Sequence, residues 1–304
     1  MSKPASLAIG EAATSAAGAL ADPAAAAARY LQQLNTLILA RHVTLLMIEA
    51  QKHRGASLAV LAGNREFMPR VVQSQQVIRR YLAVIDHLNR HSGKLIADAH
   101  MRTLKRDWLA LIEHWQTDPA MTNFEFHNHF IDSMIKHIWQ LVGDARLARA
   151  RVESGGAAMP GMSKLVLNIT LKLMPELLEN IARLRGLATH VCSLGHSDTE
   201  FDSRFVSLIH ALNMNKEKMR IVCRALQHDT LRAVPSLPEI LLHDHKLDQL
   251  QQTVTRNISG AASIQLNSKE LFDFASDIID SYSQVIHDGI SFFRRRIERE
   301  LGGV

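Results

Sequence analysis

Apolar residues recur along this chain at spacings of three and four, and no stretch alternates as a strand would. Asp22-Pro23 reads as an N-cap followed by proline at the first helical position, opening a helix over 23–62 that stops at Gly63. Asn64 with Glu66 starts a second helix, to about His91, with Val71, Ile78, Leu82 and Ile85 inside. A third spans 94–116 on Met101, Leu104, Trp108, Leu111 and Trp115. Asp118-Pro119 breaks the chain. Thr122-x-x-Glu125, a capping box, then opens a fourth helix to Glu153, with Phe124, Ile131, Met134, Ile138, Leu141 and Ala145 inward. Helix five covers 161–194 and contains Pro175, which must kink it or split it at Met174. Ser197-x-x-Glu200 caps helix six. Its seam is a strict four-three alternation of Phe201, Phe205, Leu208, Leu212, Asn215, Met219, Val222 and Leu226. After Val234-Pro235-Ser236-Leu237-Pro238, helix seven spans 239–265 on Leu247, Leu250, Val254, Ile258 and Ala261. Asn267-x-x-Glu270 caps helix eight, to Leu301.

The best boundary is Ser154-Gly155-Gly156 with Met159-Pro160-Gly161, which leaves four helices on each side. Helices this long, apolar on one narrow stripe, bury it best in antiparallel bundles. The sequence therefore predicts an all-α protein of two antiparallel four-helix bundles, eight helices packed together. Residues 1–22 are a disordered Ala-rich tail, 23–153 the first bundle and 161–301 the second, the two forming one unit. Composition agrees: in 304 residues aromatics make up 5%, with only 15 Gly and 8 Pro, too few turn residues for an all-β fold. Two cysteines without Cys-x-x-Cys spacing suit a reducing cytosol. The net charge of +5 favours small anions and acidic partners. The Lys and Arg are scattered, so nucleic acid is not indicated, and Arg294-Arg295-Arg296 reads as a solvated helix end. No run of about 18 apolar residues and no secretory pattern occurs, so the expected location is cytoplasmic, without membrane insertion.

One stretch breaks its own pattern. In Glu49–Gly63 the apolar stripe of Val43, Met47, Ala50, Leu58 and Leu61 has Arg54 in a middle slot, followed at once by Gly55. A half-buried guanidinium needs an anionic or carbonyl partner. A mid-helix glycine makes sense where another backbone or a ligand comes close. The feature returns in Glu179–Gly195, where Arg185-Gly186 interrupts the stripe of Leu178, Ile181, Ala188 and Cys192. The two Arg-Gly pairs lie nearly half the chain apart, as in two similar modules. Enzymatic signatures are missing: no Gly-x-Gly-x-x-Gly, no phosphate-cradling Gly-Lys-Ser/Thr loop, no His-Glu-x-x-His, and no Glu-x-x-His for a di-iron bundle site. His127-x-His129 and His243-x-His245 do not share a helical face, and His87 with His91 reads as solvent-facing. No enzyme activity, cofactor or metal is expected.

Gln51-Lys52-His53-Arg54-Gly55-Ala56-Ser57, preceded by Leu45-Leu46-Met47-Ile48-Glu49, resembles the signature helix of the nitrate- and nitrite-sensing domain family, which bears a Gln-x-Glu-Arg-Gly-like motif. Leu173-Met174-Pro175-Glu176-Leu177 and Ile181-Ala182-Arg183-Leu184-Arg185-Gly186 resemble the start of the family's second half, and the resemblance spans about residues 30–300. It implies an all-α sensor that holds nitrate or nitrite between two bundles through arginines from both. Arg54 is the firmest match, and His53 stands where the family often has another charged residue. Arg185 is the best match in the second half, with Arg183 beside it, and Arg256 would supply a further arginine from helix seven. Family members are often joined to an output module, and the eight helices use up this chain. Signalling would then pass through an unidentified partner protein or through dimerisation. The competing reading is a helical interaction scaffold with no small ligand. In a sensor Arg54 and Arg185 face each other across a small polar pocket. In a scaffold each has its own carboxylate, such as Glu49 or Glu179, and a large apolar patch lies on the surface.

Overall fold

The computed structural model describes residues 23–143, 160–226, 231, 234–242 and 244–302. The Ala-rich tail and the Ser154–Met159 boundary read from the sequence lie outside these residues. The described chain is all-α: α1 Pro23–Leu61, α2 Met68–His91, α3 Asp98–His114, α4 Ala120–Gly143, α5 Pro160–Asn168, α6 Met174–Leu194, α7 Thr199–Arg224, α8 Ser236–Leu242, α9 Asp244–Asn257 and α10 Ser268–Gly302. Among the described residues there is no strand, and no helix is long and apolar enough to cross a membrane.

Local chemistry sets the boundaries, and several differ from the sequence pattern. α1 stops where expected, at Gly63 with φ 92°. α3 begins at Asp98 rather than near residue 94 because the Asn89 side chain holds the preceding turn open. It donates to the Ile96 carbonyl at 2.7 Å and accepts from the Ile96 N–H at 2.8 Å. α4 starts at Ala120, just after Pro119, so Thr122 is inside the helix and not its cap. Asp198, not Ser197, caps α7, accepting from the N–H groups of Glu200 and Phe201. α9 ends at Asn257, eight residues short of the expected helix-seven terminus, at a turn through Gly260 with φ 71°. The loop beyond it bonds back to the α6–α7 turn, Ile264 N–H to the Gly195 carbonyl at 2.7 Å and Ser197 N–H to the Ala261 carbonyl at 3.0 Å.

The α-helix around Pro175 divides at Met174, one of the two outcomes expected from the sequence. A π-helical turn over Ile169–Leu173 joins α5 to α6, with the Met174 N–H reaching back five residues to the Ile169 carbonyl. A wider turn accommodates the ring that would clash with the carbonyl four residues earlier. α10 comes close here: a Cβ at Gly289 would sit 2.3 Å from Thr170 Cγ2. In α7 the strict heptad seam drifts. Phe201, Phe205, Leu212 and Met219 are buried as expected, but Lys216 and Cys223 replace Asn215 and Val222. A straight helix of 3.6 residues per turn slips about 20° per heptad, enough to exchange neighbours. The buried Lys216 ammonium is held by Asp244, at 3.4 Å, and by Asp248.

α1 packs on α2 and α4 in the first half of the chain and on α6 and α10 in the second; α6 also carries α7 and α10. One apolar core runs through both halves. The contact between α1 and α6 is therefore the middle of the molecule, and both Arg-Gly pairs lie in it. A Cβ at Gly186 would sit 3.7 Å from Gly55 Cα.

Candidate functional site

The two Arg-Gly pairs meet in a reciprocal fashion. A Cβ at Gly55 would come within 3.6 Å of Arg185 Nε, and one at Gly186 within 3.9 Å of Arg54 Nε. The same Cβ at Gly55 would lie 2.8 Å from the Phe272 ring of α10, so only glycine lets that ring and α6 close on α1. Both guanidinium side chains are fully buried.

Their partners differ. Arg54 Nη1 donates to Glu179 Oε1 at 2.6 Å and Asn128 Oδ1 at 2.6 Å, and Nη2 donates to Glu179 Oε2 at 3.2 Å. Glu179 also accepts from Gln51 Nε2 at 3.0 Å and Arg183 Nε at 2.7 Å. Burial raises the Glu179 carboxyl pKa, but the charges of Arg54 and Arg183 and the hydrogen bonds from Arg54 and Gln51 outweigh it, so it stays ionised below its ordinary range. Arg183 reaches outward to Asp132 at 2.8 Å. Arg54 is thus neutralised within the chain.

Among the described residues Arg185 has no such carboxylate. Its Nη1 donates to Ser276 Oγ at 2.8 Å, and its Cζ lies 4.6 Å from the centroid of Phe272. Its Nε and Nη2 are buried without a hydrogen-bond partner, as are Arg54 Nε, Gln51 Oε1 and Thr189 Oγ1. Burial, and then the neighbouring charge of Arg54, push the Arg185 guanidinium down to about 9. It remains a cation at neutral pH. Buried charged donors without acceptors are rare, because each bears its full desolvation cost with no hydrogen bond to offset it. The arrangement offers three guanidinium N–H directions and a hydroxyl to an acceptor-rich, planar anion.

Of the five residues singled out from the sequence, the structure brings three together: Arg54, Arg185 and Arg183. His53 points the other way. Its Nδ1 is 2.7 Å from His127 Nε2 and its Nε2 is 3.2 Å from Gln75 Nε2. His127 Nδ1 faces the Asn123 carbonyl at 2.8 Å, so it must donate there, which makes its Nε2 an acceptor and His53 Nδ1 a donor. The chain of bonds is complete only with both rings neutral, and burial pushes His53 down to about 3 and His127 well below its usual value. Arg256 is exposed near the end of α9, off its buried face, and joins no part of this cluster. The sequence reading missed Phe272, Ser276 and Thr189. A hydroxyl one turn after Arg185 on an otherwise apolar stripe was a legible signal for Thr189.

The two neutral histidines make stability depend on pH. Above the unfolded value of 6.5 both states leave His53 neutral; below it the unfolded chain takes up a proton that the folded one refuses until about 3. Between pH 7 and pH 5, His53 alone should cost about 2 kcal/mol of stability. Urea midpoints at the two values check this, and His53→Gln should remove that part of the pH effect. An unchanged pH effect in the variant would count against a neutral buried His53.

No family model and no curated protein sequence matches this chain. Among solved structures, the chain is similar to one described as the structure of the NasR transcription antiterminator, with a TM-score of 0.70 and 13% identity. The match covers 90% of this chain and 72% of that one, and at this identity it is a likeness of fold: the described chain has the helical architecture of NasR.

Proposed function

We propose that this chain is a cytoplasmic, non-enzymatic sensor that binds nitrate or nitrite between α1 and α6 and signals through a partner protein or through dimerisation. One observation carries the reading. Arg185 is a fully buried cation with two N–H directions unpaired and no carboxylate of its own, set against the Arg-Gly pair of the opposite half. The motif resemblance supports the ligand, and the likeness to NasR supports the fold in which such a ligand would act. Arg185 is the principal ligand-binding residue. Arg54 contributes its Nε, while Arg183 helps hold Glu179. His53 faces away towards His127 and Gln75, and His53 and Arg256 are left without a role in the site.

Nitrate and nitrite suit this geometry because they have only acceptor atoms and spread one charge over two or three oxygens. Hydrogen bonds to charged groups contribute roughly 1.5–3 kcal/mol each, so two from Arg185 suffice for useful affinity. The ligand would also join elements of both halves, which gives it a differential affinity for the closed arrangement. The scaffold alternative has two features in its favour: Arg54 has its own carboxylate in Glu179, and Val206, Met214 and Ile221 are exposed on α7 within about 80° of arc.

Thermal unfolding at fixed ionic strength in nitrate, nitrite, chloride and sulfate tests the proposal. A ligand at 100 times its Kd adds about 2.7 kcal/mol. A shift of several degrees for nitrate or nitrite beyond chloride and sulfate supports the sensor. Equal shifts in all four salts, or none, would favour the scaffold.

A further inference from the structure

We propose that Glu179 sets the charge of the ligand: it is a built-in counter-anion that cancels Arg54 and leaves Arg185 as the one uncompensated buried cation among the described residues, so the site accepts a single small monoanion and rejects dianions. This inference rests on the anion-sensor reading and specifies its selectivity.

The fully buried charges at the α1–α6 contact are two guanidinium groups, Arg54 and Arg185, and one carboxylate, Glu179. They leave one net positive charge. The neighbouring Arg183–Asp132 pair is internally neutral and partly exposed. Lys52 and Asp280, 3.9 Å apart, form another neutral pair nearer the surface; Asp280 first, then Glu179 and Glu49, act on the Arg185 charge from a distance, without a hydrogen bond or ion pair to it. A monoanion at Arg185 would therefore bring the buried group to neutrality. A dianion would leave a net negative charge away from water, next to a carboxylate already ionised, which is costly whatever its hydrogen bonds.

Glu179 is built for this role rather than left over. Four donors converge on it, from Arg54 Nη1 and Nη2, Gln51 and Arg183. They fix both oxygens on the Arg54 side of the contact, so the carboxylate occupies the end-on fork of Arg54 and leaves Arg54 Nε free. Among the described residues no equivalent carboxylate bonds to Arg185, whose one side-chain acceptor is the neutral Ser276 hydroxyl. The asymmetry between two otherwise similar Arg-Gly pairs assigns compensation to one and ligand capture to the other.

Isothermal titration with nitrate, perchlorate and sulfate at constant ionic strength tests the inference, because perchlorate and sulfate are tetrahedral ions of nearly equal size that differ in charge. The wild type should bind nitrate at least 100-fold better than sulfate and should also prefer perchlorate to sulfate. Glu179→Gln should narrow both ratios at least tenfold, and adding Arg183→Gln should widen them again by removing the extra positive charge. A second pair of variants serves if Glu179→Gln does not fold. Ser276→Asp gives Arg185 its own carboxylate and should lose at least tenfold more nitrate affinity than Ser276→Asn. Nitrate binding with ratios unmoved in Glu179→Gln, or with Ser276→Asp no weaker than Ser276→Asn, would overturn the charge-setting role while leaving the sensor standing. No nitrate or nitrite binding by the wild type would overturn both.

Discussion

Arg54→Ala should destabilise the protein by about 3–5 kcal/mol, the usual cost of stranding one partner of a buried ion pair. Arg54 and Glu179 are buried together across the α1–α6 contact, with side-chain exposures of 0% and 3%. Glu179→Ala should cost as much or more, because it leaves Arg54 with only the Asn128 carbonyl oxygen for a partner, whereas Glu179 without Arg54 still has Arg183 and Gln51. The double variant Arg54→Met/Glu179→Leu, which removes both charges and keeps the volume, should lie within about 2 kcal/mol of the wild type. Urea unfolding of the wild type, Arg54→Met, Glu179→Leu and their combination gives the coupling energy directly. Additive single effects would mean that the two side chains do not depend on each other, contrary to their geometry.

Arg185→Met should behave in the opposite way. The wild-type guanidinium has one hydrogen bond to Ser276 and the face of Phe272, with two N–H directions unmatched. Replacing an undercompensated buried charge with an apolar chain of similar length should raise stability by about 1–3 kcal/mol in the absence of anion. The same change should abolish the nitrate-dependent shift in melting temperature. Together the two outcomes separate function from structure: a residue whose loss stabilises the fold and removes the ligand response is held in place for the ligand. Destabilisation by Arg185→Met with the anion response retained would make Arg185 a packing residue.

The helices and their main breaks were readable from the sequence because both follow from local rules. Apolar spacing placed the inner faces of α2 and α3, and glycine and proline marked the ends of α1 and the Asp118-Pro119 break. Elements set by tertiary contact were not readable. The late start of α3 depends on Asn89 bonding across seven residues, and the early end of α9 on a loop that bonds to the α6–α7 turn. The π turn before Pro175 is one of several ways to accommodate a proline, and nothing local chooses among them. The two Arg-Gly interruptions were a legible signal of the α1–α6 contact: each arginine sits in a stripe that asks for an apolar residue, and each glycine lies where the other helix arrives. What remained open was which arginine the nearby carboxylate serves. Glu179 is six residues before Arg185 on the same helix, yet it faces Arg54, because residues six apart on a helix point in different directions. The exclusion of His53 from the cluster follows from His127, a partner 74 residues away.

The most direct measurement is a crystal structure of the wild-type protein grown with nitrate. A planar three-oxygen density should appear between α1 and α6, with oxygens about 3 Å from Arg185 Nε and Nη2, while the Arg54–Glu179 pair stays intact. Nitrate density only on the surface, with Arg185 Nε and Nη2 bonded to protein atoms, would contradict that placement.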